Sequence, residues 1–327
     1  MKTIPLFNNF LKTGSNDFVA INLGSHYLKG LVIKGNRITD FFLKERKDLS
    51  TALKEIWQEK KISSDRIKLS VKDPSTMVRY FSFPRLEKKK LRQTLFYELN
   101  KHIPFAPQDV YFDFSILKEI SPSQVYIVLA VAKKDFIDNI TQAFEKEKLK
   151  ILDISLDSIS LINVFLASGV DKLKNVCILD ARASFSTLSL LAKDMPILTR
   201  DLNFNMKEIL STLSHVRQIP MSEIDKWLVS NEPQNETLKL IEDNITSLCK
   251  ELKSSFDYFE VNKAEHIEKL YITGGISYLK GVESIFKDFL DIEVEYLGMP
   301  QKLIIDFKEG NFRAIEKSFT VAFGLVL

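Results

Sequence analysis

Apolar and polar residues alternate in two stretches of the chain that share one outline. Residues 176–198 have the pattern of three short strands separated by two tight turns, with Asp180 near the end of the first strand. The same outline recurs 158 positions earlier (from 180 back to 22), over residues 19–41, where Asn22 falls at the position of Asp180. Alternation with a period of two is typical of half-buried strands. Two copies of one strand–turn–strand unit therefore indicate a duplicated architecture.

Elsewhere in the chain, segments in which hydrophobic residues recur at every second position, as in strands, are followed by segments in which they recur every three or four positions, as in helices. A chain in which strands and helices follow one another is expected to form a layered α/β fold, with helices covering sheets. The duplicated unit indicates two such lobes with a cleft between them. The predicted strands are 66–71, 77–83, 110–118, 125–132, 269–272 and 294–297, and the predicted helices are 49–61, 87–102, 136–148, 158–167, 238–259 and 278–290.

The same pattern predicts that each lobe is interrupted by an insert. We expect an N-terminal tail (1–17), a first-lobe core (18–67 and 134–172) with an inserted α+β subdomain (68–133), and a second-lobe core (173–202 and 265–327) with a helical insert (203–264).

Composition narrows the class of protein. The chain has 327 residues, of which 45% are hydrophobic and 27% are charged, as is typical of a soluble globular protein. A net charge of +3 does not indicate a nucleic-acid partner, and two separate cysteines do not indicate a disulfide framework or a zinc site. No run of 18 apolar residues is present, so the sequence predicts a cytoplasmic protein without a membrane span.

Three turns have residues that can hold a nucleotide. Glycines allow backbone N–H groups to approach phosphates, and a helix N-terminus favours negative charge. A carboxylate at a strand end can orient a hydrated magnesium ion. Taken singly, each feature is more often an ordinary turn, a helix entry or a solvated lysine. The candidate nucleotide-binding residues are Gly24, Ser25, Lys29, Asp180, Arg182, Gly274 and Gly275, with Asp180 as a water-mediated magnesium ligand.

The order of these motifs resembles the actin-like superfamily of two-lobed ATPases, and within it the PilM family of type IV pilus assembly proteins. The resemblance is carried by INLGSHYLKGLVI, ILDARASFSTLSLL and LYITGGISYLKGV, and most specifically by VRYFSFPRLEKKKLRQTLFYELNKHIPFAPQDVYFDF. It implies an actin-like fold, that is, a duplicated ribonuclease H-like fold with a small α+β insert in lobe 1 and a helical insert in lobe 2.

Two positions depart from the family pattern. Asn22 stands where the first phosphate loop usually begins with Asp, and Arg182 stands where the second loop usually has Gly. An arginine there can bind a phosphate through its guanidinium or fill the space that the phosphate needs. No residue for activating water can be assigned. The sequence therefore favours a degenerate site at which ATP and magnesium can be absent and hydrolysis is not expected.

The resemblance also implies a partner. PilM-like proteins lie on the cytoplasmic face of the inner membrane and bind the N-terminal tail of a PilN-like bitopic membrane protein. This binding links the membrane protein to the motor of a pilus or a type II secretion-like machine. The tail lies in a groove between the first lobe and its insert. For Phe83 and Phe105, core packing is the alternative role. The residues carried over to this groove are Arg79, Phe83, Pro84, Glu98, Pro104 and Phe105.

Other functions of the superfamily are alternatives. A sugar or metabolite kinase would need a general-base Asp between the lobes, and no Asp stands in such a context. A cytoskeletal protein similar to FtsA would carry a C-terminal amphipathic membrane helix, and a GspL-like protein would continue into a transmembrane helix. Neither feature is found in this sequence.

Overall fold

The computed structural model describes residues 17–221, 223–224 and 235–327. The predicted tail, except for Asp17, lies outside the described residues. The strands are β1 (Phe18–Leu23), β2 (Tyr27–Lys34), β3 (Arg37–Glu45), β4 (Arg66–Val71), β5 (Thr76–Pro84), β6 (Val110–Ser121), β7 (Gln124–Lys133), β8 (Lys150–Leu156), β9 (Val176–Ala181), β10 (Ser186–Ala192), β11 (Met195–Leu202), β12 (Lys269–Thr273), β13 (Glu293–Tyr296) and β14 (Ile304–Ile305).

The helices alternate with these strands, as the hydrophobic spacing predicts. They are α1 (Leu49–Lys60), α2 (Lys88–Glu98), α3 (Lys134–Lys146), α4 (Asp157–Ser168), α5 (Met206–Arg217), α6 (Asn235–Lys263), α7 (Val282–Leu290), α8 (Gly310–Ile315) and α9 (Thr320–Val326), with short 3-10 turns at Leu99–Lys101, Pro107–Asp109, Gly275–Tyr278 and Glu316–Phe319. Among the described residues, no helix is long and apolar enough to cross a membrane.

The two larger sheets repeat one topology, which confirms the predicted duplication. The first has the strand order β14-β3-β2-β1-β4-β8 and the second β11-β10-β9-β12-β13. In each, an antiparallel meander of three strands is followed by parallel neighbours: β1 pairs with β4 and β9 pairs with β12. The first turn is also the same, since Gly24 N donates to Tyr27 O at 3.0 Å and Arg182 N donates to Phe185 O at 3.2 Å.

The second turn of each repeat uses a left-handed backbone at corresponding positions. Gly35 has φ +62° and Lys193 has φ +59°. Glycine adopts this conformation without a steric penalty, whereas a lysine there is held by the strands that flank it. The repeat thus preserves backbone geometry even where the residue type has changed.

The chain forms two compact units. The first contains the described residues up to Ser168 together with Pro300–Ala314 and Val321–Leu327, and the second contains Gly169–Met299 and Ile315–Thr320. Residues 300–314 and 321–327 are thus grouped with the first unit. Two contacts explain this grouping. β14 pairs with β3, and Gly324 of α9 lies directly against the backbone of Ser160.

The inserted subdomain belongs to the first unit and has its own small core. Its three-stranded sheet has the order β5-β7-β6, and α2 packs against one face of it. The inward positions of the predicted helix are confirmed, since Leu91, Leu95 and Leu99 are fully buried. The α-helix is shorter than predicted because residues 99–101 tighten into a 3-10 turn.

Candidate functional site

The first turn of the second repeat brings an aspartate and an arginine together. Asp180 is the penultimate residue of β9, and Arg182 lies in the turn that follows Ala181. Arg182 donates from Nε to Oδ1 of Asp180 at 2.9 Å, and its Nη2 lies 2.5 Å from Oδ2. The side chains are only 16% and 8% exposed. A guanidinium that engages both oxygens of a shielded carboxylate neutralises it and fixes its orientation.

A glycine turn covers the same carboxylate. At Gly274, which has φ +83°, a Cβ would lie 2.7 Å from Oδ1 of Asp180 and 2.5 Å from the carbonyl oxygen of Ala181. At Gly275 the nearest atom would be Cγ of Met206, at the ordinary distance of 3.6 Å. Of the two glycines in this turn, only Gly274 is therefore required by close packing.

The start of α5 closes the other side of this turn. The backbone N–H of Met206 donates to the carbonyl oxygen of Arg182 at 2.8 Å. The helix N-terminus is thus bonded to the turn, and its N-cap residue Asn205 accepts from Glu208 N at 3.2 Å. Donors that a phosphate would use at this helix are already bonded within the protein.

The corresponding turn of the first repeat has a different chemistry. Asn22 lies opposite Lys29 in β2 and Ser70 in β4. Its amide donates to both carboxylate oxygens of Asp157, at 3.0 and 3.1 Å, and Ser70 Oγ also donates to that carboxylate. Asp157, the first residue of α4, is 2% exposed. A carboxylate at a helix N-terminus is stabilised by the helix dipole.

Sequence reasoning missed Asp157. A signal was present, because this Asp directly follows the strand β8 and opens a helix, which is where a buried carboxylate is stabilised. The pairing of Asp157 with Asn22, 135 positions away in sequence, depends on the parallel order β1-β4-β8 and could not be read from spacing.

The two turns fit a nucleotide and magnesium unequally. In the first repeat, Oδ1 of Asn22 is buried and has no hydrogen-bond partner, so it can still accept from a bound water or hydrated cation. Ser25 and Lys29 are only partly buried near this turn. In the second repeat, a cation can reach Asp180 only after the Arg182 ion pair opens. The arrangement at Asp180 does not fit a magnesium ion.

In the inserted subdomain, the structure places two predicted partner-binding residues around one histidine. His102 stacks on Phe81 with ring centroids 3.8 Å apart. Burial lowers the pKa of His102, the charge of Glu98 raises it, and the charge of Arg79 lowers it further. Arg79 and Glu98 thus lie close enough to act on the same imidazole.

The remaining predicted partner residues are placed differently. Phe83 is 3% exposed and packs with Leu91 and Leu95 in the subdomain core, which matches the alternative role of this residue. Phe105 is half-buried, and the Lys133 ammonium lies 5.1 Å from its ring centroid. The exposed residues of the set are Pro84 and Pro104.

Comparison with known structures identifies the fold. The chain superposes on a structure of the PilM-PilN type IV pilus biogenesis complex with a TM-score of 0.84 and 19% identity, covering 96% of this chain and 98% of that one. It is also similar to ethanolamine utilization protein EutJ from Carboxydothermus hydrogenoformans (TM-score 0.53, 12% identity, 98% and 92% covered) and to MreB 5 of Spiroplasma citri bound to AMPPNP (0.52, 8%, 95% and 95%). These likenesses establish the two-lobed actin-like fold.

Comparison with sequences identifies the family. No curated protein sequence matches the chain. The family described as type IV pilus assembly protein PilM matches residues 25–327. Because this match covers nearly the whole chain, the chain belongs to the PilM family of type IV pilus assembly proteins.

Proposed function

We propose that this protein is a cytoplasmic scaffold of a type IV pilus machine, held at the inner membrane by the N-terminal tail of a PilN-like membrane protein. Membership of the PilM family supports the pilus assignment. The likeness to a PilM-PilN complex supports the choice of partner. Against the kinase alternative, the Asp180 carboxylate that would orient a magnesium ion for phosphoryl transfer is paired with Arg182.

The outer edge of β5 is the observation that carries the proposal. In the three-stranded sheet, β5 pairs only with β7, and within the described residues no strand pairs with its other edge. An unpaired strand edge presents N–H and C=O groups in a row, and an extended peptide can add to it through main-chain hydrogen bonds.

Side chains along this edge supply specificity. Arg79 lies in β5 and donates to the carbonyl oxygen of Val78 at 3.0 Å, while Phe81, two residues further on, carries the stacked His102. A tail that lies along β5 would therefore meet a cation beside an aromatic pair. Main-chain bonding gives affinity, and these side chains select the residues that alternate along the tail.

The nucleotide site has a subordinate role in this proposal. The fold is shared with MreB 5, whose structure holds AMPPNP. Asn22 and Lys29 are cross-strand neighbours, and the unpartnered Oδ1 of Asn22 can accept a hydrogen bond from a hydrated cation. Because Arg182 pairs with the Asp180 carboxylate that magnesium would need, we propose that the partner tail binds without ATP.

The experiment measures binding of a labelled N-terminal tail peptide of the neighbouring membrane protein to the full chain by fluorescence anisotropy. We expect Arg79→Ala to raise the dissociation constant about tenfold, as truncation of an interface arginine does. Arg85→Ala is the matched control, because Arg85 lies just beyond β5 and pairs with Glu119 at 2.8 Å. Equal affinities for the two variants, or no binding by the unaltered chain, would contradict the proposal.

A further inference from the structure

The outer stripe of α2 forms a largely exposed surface. Its residues follow one another at helical spacing of three and four, opposite the buried stripe of Leu91 and Leu95. Together with one ring from β6 they line a pocket of about 300 Å³. We call this surface the α2 face; it consists of Lys89, Arg92, Gln93, Phe96, Tyr97 and Phe112.

The α2 face is aromatic at its base and cationic at its rim. Phe96 and Phe112 stack with centroids 6.3 Å apart, and Tyr97 is 81% exposed. Arg92 lies 4.7 Å from the Phe112 ring centroid and pairs with Asp113 at 3.0 Å. The lining contains no carboxylate, and the neighbouring Lys88 and Lys90 are exposed.

This shape and charge define the kind of partner. A concave pocket admits a protruding side chain, whereas a membrane surface is contacted best by protruding apolar residues. Exposed aromatic rings that line a pocket and have cations beside them are typical of protein interfaces. The complementary surface should carry an apolar side chain between carboxylates.

The last turns of α6 carry such a surface. Tyr258 and Val261 are three residues apart, so they lie on one helix face, and they are 53% and 86% exposed. Asp257 and Glu260 flank them and are also exposed. The nearby Lys253 lies against the ring of Phe289, 5.1 Å from its centroid. We call the four residues 257, 258, 260 and 261 the α6 end.

We propose that the α2 face of one copy of this protein binds the α6 end of a second copy. Val261 enters the pocket that Phe96 and Phe112 line, and Asp257 and Glu260 meet the lysines at its rim. The two surfaces differ, so the contact is heterologous and leaves one free surface at each end of a pair. Such contacts join successive copies into rings or open assemblies.

The test is sedimentation velocity on the full chain over a concentration series at low salt. We expect the mass to grow with concentration and the growth to weaken with added salt, because opposite charges are screened. Lys89→Glu and Glu260→Lys should each raise the dissociation constant at least about tenfold, since each places like charges together. Mixing the two variants should restore association, because each retains the surface that the other has lost.

Matched controls separate the contact from general changes of charge or hydrophobicity. Lys54→Glu alters an exposed helical lysine outside the α2 face and should leave association unchanged. Val261→Asp should abolish association, whereas Leu173→Asp, at a residue 84% exposed outside the α6 end, should not. Both valine and leucine positions are exposed, so neither variant should disturb folding.

Three outcomes would overturn the inference. In the first, the chain remains a monomer throughout the concentration series. In the second, the chain associates, but neither charge reversal changes the dissociation constant. In the third, the chain binds vesicles of anionic phosphatidylglycerol through Lys89 and does not associate with itself. None of these measurements uses the membrane-protein tail, so failure here is distinct from failure of the proposed function.

Discussion

Two adjacent glycines in the turn after β12 should respond very differently to alanine. Gly274 has φ +83° and ψ −164°, a backbone region that is essentially restricted to glycine and costs another residue about 1–3 kcal/mol. The new Cβ would also lie 2.5 Å from the carbonyl oxygen of Ala181 and 2.7 Å from Oδ1 of Asp180, so β9 or the Asp180–Arg182 pair must move. Overpacking of this kind costs about 1–3 kcal/mol. We expect Gly274→Ala to lower the free energy of unfolding by about 2–6 kcal/mol.

The matched control is Gly275→Ala. Its Cβ would lie 3.6 Å from Cγ of Met206, an ordinary contact, and its backbone is not left-handed. The free energy of unfolding should therefore change by less than about 1 kcal/mol.

Urea titrations followed by circular dichroism compare the two variants with the unaltered chain. Because the chain forms two compact units, hydrogen exchange on peptides spanning β9 and β12 should locate the loss in the second unit. If Gly274→Ala loses no more stability than Gly275→Ala, the close packing of this turn on Asp180 does not hold.

Two further predictions concern charged residues. Arg182→Gly releases the Asp180 carboxylate, and we expect calorimetry to show an affinity for ATP with magnesium about tenfold higher than that of the unaltered chain; an unchanged affinity would refute blocking by Arg182. Burial raises the pKa of Asp153 from 3.8 to about 6, against the opposing charge of Lys68. The folded state therefore holds this proton more tightly than the unfolded state, so the contribution of Asp153 to stability falls as the pH rises from about 4 to about 6. Asp153→Asn should remove this loss. In urea titrations between pH 4 and pH 7, the free energy of unfolding of this variant should rise relative to that of the unaltered chain by about 2 kcal/mol. Parallel pH profiles for the two chains would contradict the prediction.

The family resemblance and the local patterns named most of the candidate residues. They did not show which way the side chains point or what packs around them. The glycine turns and the strand-end residues Asn22 and Asp180 were predicted, and the structure places them at corresponding positions of the two sheets. Spacing along the chain could not show that Arg182 turns back onto Asp180, because a side-chain direction depends on what packs around it. Nor could it show that Phe83 points into the subdomain core, since an alternating strand indicates two faces without saying which is covered.

The sequence by itself determined the duplication, the alternation of strands and helices, and the family. These follow from local periodicity and motif order, which every residue along a strand or helix helps to specify. Only the tertiary structure decided that Asp157 meets Asn22, that β14 returns to the first sheet, and that Gly274 covers Asp180. Each of these joins residues far apart in sequence, and such contacts depend on which strands become neighbours and how closely the backbones approach.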